Sequence, residues 1–471
     1  MCADDTYDQG SLLYLAFVCL AASSGGLLFG INIAVISGAI GLLREQFTLS
    51  AAMVGWVVSS ALLGSVIGAA VSGVLTDLYG RKKILILAGA VFVLSSLGCA
   101  LSPSADALVM ARVLGGVAVG FAAMASPLYI AEIAPAHLRG RMVTVYQMAI
   151  NLGICFAYIS NAIIGNRASH GAGVGATTLW HSMMRAEPWR GMFFVPVFPA
   201  AISILLLLAV PESPRWLIQR GRSGDAKLIL TRVLGPSRAQ RDLIEIKSNI
   251  SDESGSFLQL FQHGLRRAVF ISVALTFFSE ASGITIVLYY GPDIFKSAGL
   301  SLGSALGGAT TIGIAMLVFT LFASWKVDTL GRRKLLYVGN TGCVAANALL
   351  AVLFFTGHTR GLVLVAVICI FIAFFAFSIG PLKFVVMSEL FPTRIRGRAM
   401  ALGILTMFAT GGVVNQLFPS LVQRVGQGGS FLIFAAVLLP LFLFVWKVLP
   451  ETKGRTLEDI QRTWTDQHQA A

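Results

Sequence analysis

Glu280 stands in the middle of a long apolar run, FFSEASGITIVLYYGPDIF at 277–295, which also carries Gly283, a tyrosine pair and a proline. A carboxylate at the centre of a bilayer costs about 2.5–3.5 kcal/mol on insertion scales, so a membrane chain keeps one where it serves a purpose. Three roles are open: accepting hydroxyls of a solute, binding a cationic group of a solute, or carrying a proton. A second ionisable group, Lys383, interrupts the apolar stretch GPLKFVVMSE. It can pair with Glu280, and a buried Glu–Lys pair needs both members because loss of one leaves an uncompensated charge. It can equally bind an anion on a solute or, a few residues from Glu389, extend toward the membrane surface.

The elements that hold these groups must be membrane helices. The chain has 471 residues, 56% hydrophobic and 12% charged, with a mean hydropathy of +0.80, a balance foreign to soluble domains of this length. Apolar runs of roughly 20 residues, enough to cross about 30 Å of hydrocarbon, recur about twelve times from 13–39 to 429–449, with the sixth at 190–210 and the seventh at 268–290. The acidic start MCADDTYDQGS lacks the basic region of a secretory signal, so the first run is expected to stay in the protein. Arg81, Lys82, Lys83, Arg139, Arg141, Arg332, Arg333, Lys334, Arg394, Arg396 and Arg398 fall in loops on one side, against scattered Arg44, Arg167, Lys296 and Arg360 on the other. The positive-inside rule then puts both termini in the cytoplasm.

These loops and residues 211–267 account for the net charge of +13. The cations flank spans rather than forming a patch with interleaved aromatics, so nucleic acid is not an expected partner. Cysteines 2, 19, 99, 155, 343 and 369 lie in or beside apolar segments without metal-ligand spacing and read as small packing residues. No nucleophile–base set or metal cluster points to an enzyme, and no cofactor is expected.

The chain repeats itself. DLYGRKK at 77–83 returns as DTLGRRK at 328–334, and AEIAPAHLRGR at 131–141 as SELFPTRIRGR at 388–398, offsets of about 250 residues. PESPRWLIQRG at 211–221 and PETKGRTLEDI at 450–460 close the two halves. Parallel repeats of this kind belong to rocking transporters with a site between the halves near the midplane. The expected division is an N-terminal six-helix bundle at 1–210, a cytoplasmic amphipathic helical linker at 211–265, a C-terminal six-helix bundle at 266–450 and a short cytoplasmic tail at 451–471. In the linker, SGDAKLILTRVLG and RAQRDLIEIKSNI space apolar residues for helices too short and polar to span.

As an ordered set, these motifs resemble the sugar porter family of the major facilitator superfamily, over nearly the whole chain from SGGLLFGINIAVISGA at 24–39 to PETKGRTLE at 450–458. The resemblance implies an all-α polytopic membrane protein with twelve transmembrane helices in two six-helix bundles and a cytoplasmic helical segment between them. It assigns Arg81, Glu132 and Glu212 in one half, and Arg332, Arg333, Glu389 and Glu451 in the other, to ion pairs that latch an inner gate. As partly exposed pairs each is expected to be worth about 0–1 kcal/mol.

The site departs from the family. Where proton-coupled members carry an acid on the first span, FGIN has Asn32, while ARVLGGVAVG keeps the fourth-span Arg112. A neutral amide cannot exchange a proton near neutral pH, which tilts the resemblance toward facilitated diffusion; Arg112 reads equally as a coupling residue or as a structural cation. On the seventh span Ser279, Glu280 and Thr285 replace the usual amides. Phe384 stands where a tryptophan is usual on the tenth, after Lys383, and Met407 and Phe408 occupy the eleventh. Gln147 matches the fifth-span sugar-binding glutamine, with Asn151 and Tyr158 continuing its stripe.

The expected function is alternating-access transport of a small polar solute, a sugar or polyol, by facilitated diffusion. The alternative is proton-coupled uptake or export of a charged or zwitterionic metabolite with Glu280 as the substrate or proton site. A non-transporting solute sensor is disfavoured by the short tail. The expected partners are the solute, the lipid bilayer and, in the alternative, protons; the expected form is a monomer in a bacterial inner membrane.

Overall fold

Helices form wherever the apolar runs are long, because a backbone out of water must satisfy its own hydrogen bonds. The computed structural model describes residues 10–135, 138–170, 186–251, 265–359, 362–391 and 393–449, and among these every regular element is helical. Five spans open the chain: α1 (Leu12–Gln46), α2 (Ala51–Tyr79), α3 (Arg81–Leu101), α4 (Ala105–Ile133) and α5 (Arg139–His170). Ser11, Ser50 and Ser104 cap α1, α2 and α4 by accepting from the third residue on. The sixth span is two stacked helices, α6 (Pro188–Phe194) and α7 (Val197–Ala209), broken at Val195–Pro196.

Three short helices follow: α8 (Pro214–Gln219), α9 (Ser223–Leu234) and α10 (Pro236–Ser251). They dock on the basic turns. Trp216 Nε1 donates to Asp77 C=O at 3.0 Å, Arg220 Nη2 to Leu78 C=O at 2.6 Å, and the Ser11 amide to Arg232 C=O at 3.0 Å. The chain's described start therefore lies beside these helices, at the end of the bundle that carries the basic turns.

The seventh span is discontinuous, α11 (Arg266–Ala281) and α12 (Ile284–Ser297), because Gly283 takes φ 89°, which a side chain would disfavour. The carbonyl freed at the break, Ser282 C=O, accepts from buried Asn347 Nδ2 at 3.1 Å. Next come α13 (Leu302–Leu330) and α14 (Arg332–Thr356). The tenth span runs through α15 (Leu362–Phe374), a π-helical turn at Phe375–Ile379 and α16 (Gly380–Leu390), which places Lys383 one turn beyond a wide turn of a kind that often marks functional sites.

The last helix, α17 (Thr393–Lys447), breaks at Gly426 (φ 71°, ψ 175°). Eleven described segments are long and apolar enough to cross a membrane, the last of them 51 residues long; its break makes two spans, twelve in all. Small residues let these spans touch backbone to backbone: a Cβ on Gly116 would sit 1.9 Å from Ala61 C=O. Leu13, Leu94, Met110, Leu205 and Leu362 remain exposed on the outside of the bundle, as lipid-facing residues do. The chain is an all-α polytopic membrane protein.

Candidate functional site

The break in the seventh span and the wide turn in the tenth bring Glu280 and Lys383 together across α11 and α16. Lys383 Nζ lies 2.6 Å from Glu280 Oε1 and donates also to Ser279 Oγ at 3.1 Å, with the Phe384 ring centroid 5.3 Å away. Both charged side chains are about 5% exposed. The pairing has a local cause. Glu280 is in the last turn of α11, where the negative end of the helix dipole opposes a carboxylate, and Lys383 supplies the cation that offsets it.

This pair forms part of the wall of a cavity of about 110 Å³ between the first six spans and the last six. From the N-terminal side come Phe29, Leu62, Gln147, Ile150 and Ile154; from the C-terminal side Glu280, Thr285, Tyr289, Thr320, Lys383, Phe384, Met407 and Phe408, among others. Phe29 and Phe408 meet edge to face across the divide, centroids 5.6 Å apart. Among the described residues, buried Thr285 Oγ1 has no hydrogen-bond partner. The wall is apolar with a few convergent polar groups, the usual make-up of a small-molecule site.

Gln147, Glu280, Thr285, Lys383 and Phe384 are therefore brought together; Asn32, Asn151 and Arg112 are not. Asn151 is fully buried, outside the cavity wall, and among the described residues neither of its amide atoms has a hydrogen-bond partner. The cavity face of α5 runs through Gln147, Ile150 and Ile154, whereas Cys155 and Tyr158 turn toward Gly313 of α13. Asn32 and Arg112 share a separate small pocket with Ser95, Ser96, Cys99 and Phe193. Arg112 donates to Val57 C=O at 2.8 Å and Val58 C=O at 3.4 Å, and among the described residues it has no carboxylate in ion-pair range. Phe29, Tyr289 and Thr320 were not singled out from the sequence. The signals were there, Phe29 in FGIN itself and Tyr289 in the quoted tyrosine pair, but helical facing alone does not separate lining from packing residues.

The basic turns form ion pairs within each half. Arg81 Nη2 meets Glu132 Oε1 at 2.9 Å, and Ser213 Oγ donates to Glu132 Oε2 at 2.5 Å. Both Arg81 and Glu132 side chains are 5% exposed, so this pair is buried rather than the partly exposed bridge expected from sequence. Arg332 meets Glu389 at 2.8 Å in a more open setting, and Arg333 Nη2 donates to Trp446 C=O. Glu212 Oε1 accepts the backbone N–H groups of Arg81, Lys82 and Ser213 at 2.9–3.0 Å. It thus caps α3 from outside the helix, where the dipole favours an anion. A Cβ on Gly80 would lie 2.3 Å from Glu212 Oε2, so the cap requires glycine there. Glu451 lies outside the described residues.

At the opposite end the two halves are joined. Arg44 pairs with Asp293 at 3.2 Å and Lys296 with Glu45 at 3.2 Å. Ser59 Oγ donates to Gln416 Oε1 at 2.8 Å, Gln416 Nε2 to Ala52 C=O at 3.1 Å, and Tyr158 OH to Leu288 C=O at 2.7 Å. Among the described residues, every ion pair between the halves lies at this end.

The family model for sugar (and other) transporters matches residues 18–464. The chain is 35% identical over 455 residues to the arabinose-proton symporter of Bacillus subtilis, covering 96% of each. It is 35% identical over 485 residues to the D-xylose-proton symporter of Escherichia coli, again covering 96% of each. The xylose transporter of E. coli, solved in a partially occluded inward-open conformation, superposes with a TM-score of 0.82 at 33% identity, over 94% of this chain and all of that one.

Proposed function

This chain belongs to the family of sugar (and other) transporters, and on that premise we propose that it carries a neutral sugar or polyol across a bacterial inner membrane by alternating access, both termini facing the cytoplasm. The observation that carries the reading is the central cavity. It lies between two sets of six spans, presents Gln147, Glu280, Thr285 and Lys383 on an aromatic and aliphatic wall, and is held shut at the end away from the basic turns. Two bundles, divided at 1–210 and 266–450 by the linker, rock about this site. The apolar wall suits the C–H faces of a sugar ring, and the polar groups suit its hydroxyls. Proteoliposome uptake of D-xylose, L-arabinose and myo-inositol tests it, with saturable transport of at least one expected and none refuting it.

Asn32 cannot take up a proton, and Arg112 is held by backbone carbonyls. Both favour movement down the solute's own gradient, so collapsing a proton gradient leaves the initial rate unchanged. A second reading is proton coupling, favoured by relatives named proton symporters. Accumulation above equilibrium that a protonophore abolishes establishes it and makes Glu280 the first residue to test.

A further inference from the structure

Resting on the sugar-or-polyol reading, we infer that the Glu280–Lys383 pair is a filter for net charge: it admits polyhydroxylated solutes without charge and turns away acidic and cationic ones. The pair is internally neutral, its ammonium 2.6 Å from one carboxylate oxygen. Both side chains are about 5% exposed, yet both reach the cavity wall. Among the described residues the other carboxylate oxygen, Oε2, receives no hydrogen bond. It faces Gly411 of α17, where an added Cβ would come into ordinary contact with it at 3.7 Å. Thr285 Oγ1 on the same wall is also unpartnered.

The missing partners are therefore a donor for Oε2 and a donor or acceptor for Thr285, and adjacent hydroxyls of one molecule supply both. A charged ligand fares differently. A cation drawn to Oε2 comes within a few ångströms of the Lys383 ammonium, and an anion drawn to Lys383 meets the Glu280 carboxylate. In a site screened from water neither gains a counter-charge to offset its lost hydration. Arg112 does not change the balance, because it lies in a separate pocket, bonded to Val57 and Val58. Hydroxyl donors alone meet the site without disturbing its neutrality.

Removing either member should unbalance the filter in opposite directions. The experiment measures competition by D-glucosamine and D-glucuronate against uptake and binding of the best neutral probe among D-xylose, L-arabinose and myo-inositol, at pH 7. The wild type is expected to prefer the neutral probe over both. Glu280→Gln leaves Lys383 alone and should improve glucuronate relative to the neutral probe by about tenfold or more, while Lys383→Gln should do the same for glucosamine. The double variant Glu280→Gln/Lys383→Gln should restore the neutral preference. It also carries the test if a single variant does not fold, as judged by gel filtration and melting, together with the swap Glu280→Lys/Lys383→Glu, which should refuse both charged sugars.

The inference is overturned if the wild type accepts a charged sugar as well as the neutral one, if folded single variants keep the wild-type order, or if the double or swapped variant prefers a charged sugar. Failure of the wild type to bind any neutral probe would instead overturn the function proposed above.

Discussion

One methyl group should tip the conformational balance of this transporter. Gly55 on α2 packs against the backbone of α17: a Cβ there would sit 2.4 Å from Gln416 C=O, 3.1 Å from its carbonyl carbon and 3.2 Å from its Cα. All three are backbone atoms, so no rotamer relieves the clash. Ordinary contact begins near 3.4 Å, so Gly55→Ala requires the two helices to part by about 1 Å. Overpacking of this kind costs about 1–3 kcal/mol. The contact joins the two halves, so the cost falls on the state closed at this end and is relieved when the halves separate there. A bias of about 1–3 kcal/mol changes the ratio of states by about 5–150-fold. The reporter is Ser59→Cys in a background without the native cysteines; Ser59 is buried in the same contact, bonded to Gln416. An impermeant maleimide should label it several-fold faster when Gly55→Ala is present. Equal labelling rates with an unchanged melting temperature would refute the reasoning.

Three further outcomes follow from the same geometry. Glu132→Gln removes the buried carboxylate from Arg81, whose guanidinium keeps Asp77 at 3.3 Å and the Thr76 carbonyl at 3.0 Å, and should lower stability by about 1–3 kcal/mol, while Arg332→Ala at the more exposed second pair should cost less; thermal unfolding in detergent ranks the two. Asn151→Leu removes an amide that has no partner among the described residues from a fully buried position and should raise the melting temperature, equivalent to about 1–3 kcal/mol. Glu187 is raised by burial but lowered more by hydrogen bonds from Arg190 and Gln46 and by the Arg190 charge, for a net shift below the ordinary glutamate value of 4.5. A carboxylate with a depressed folded-state value stabilises above its unfolded value and loses that contribution as pH falls through the folded one. The melting temperature should therefore gain nothing from Glu187 in strong acid, and the gap between wild type and Glu187→Gln, clear at about pH 6, should narrow as pH falls below the ordinary value of 4.5 and close once it has passed the lowered folded-state value.

The spans, the twofold repeat and the depth of Glu280 were legible because each is a local signal: length of apolar run, recurring motif, charge within it. Gly283 was visible in the same run, but the break it makes, which sets Glu280 at a helix end, was read only from the folded backbone. The partner of Glu280 was legible only as a possibility, since 103 residues separate it from Lys383 and the distance between them depends on how α11 and α16 pack. Asn151 shows the limit of facing arguments. Gln147 and Asn151 are one helical turn apart, but the cavity follows Gln147, Ile150 and Ile154, and the small angular drift of an i, i+4 step is enough to put Asn151 elsewhere. The buried state of the Arg81–Glu132 pair was hidden for a related reason: it comes from Ser213 and the linker helices closing over that end.

The Glu212 cap bears on how the chain is divided when it is engineered. A gene cut at residue 211 would strip α3 of the acceptor for its first amides and remove Trp216 and Arg220 from the carbonyls that end α2. The amino-terminal fragment would then carry a frayed helix start beside a buried arginine. A cut placed after Ser251 leaves cap, braces and the Ser11–Arg232 contact on the same polypeptide. Split-protein pairs, circular permutants and chimaeras that exchange halves between relatives should take their seam there, with the three linker helices travelling as part of the first half.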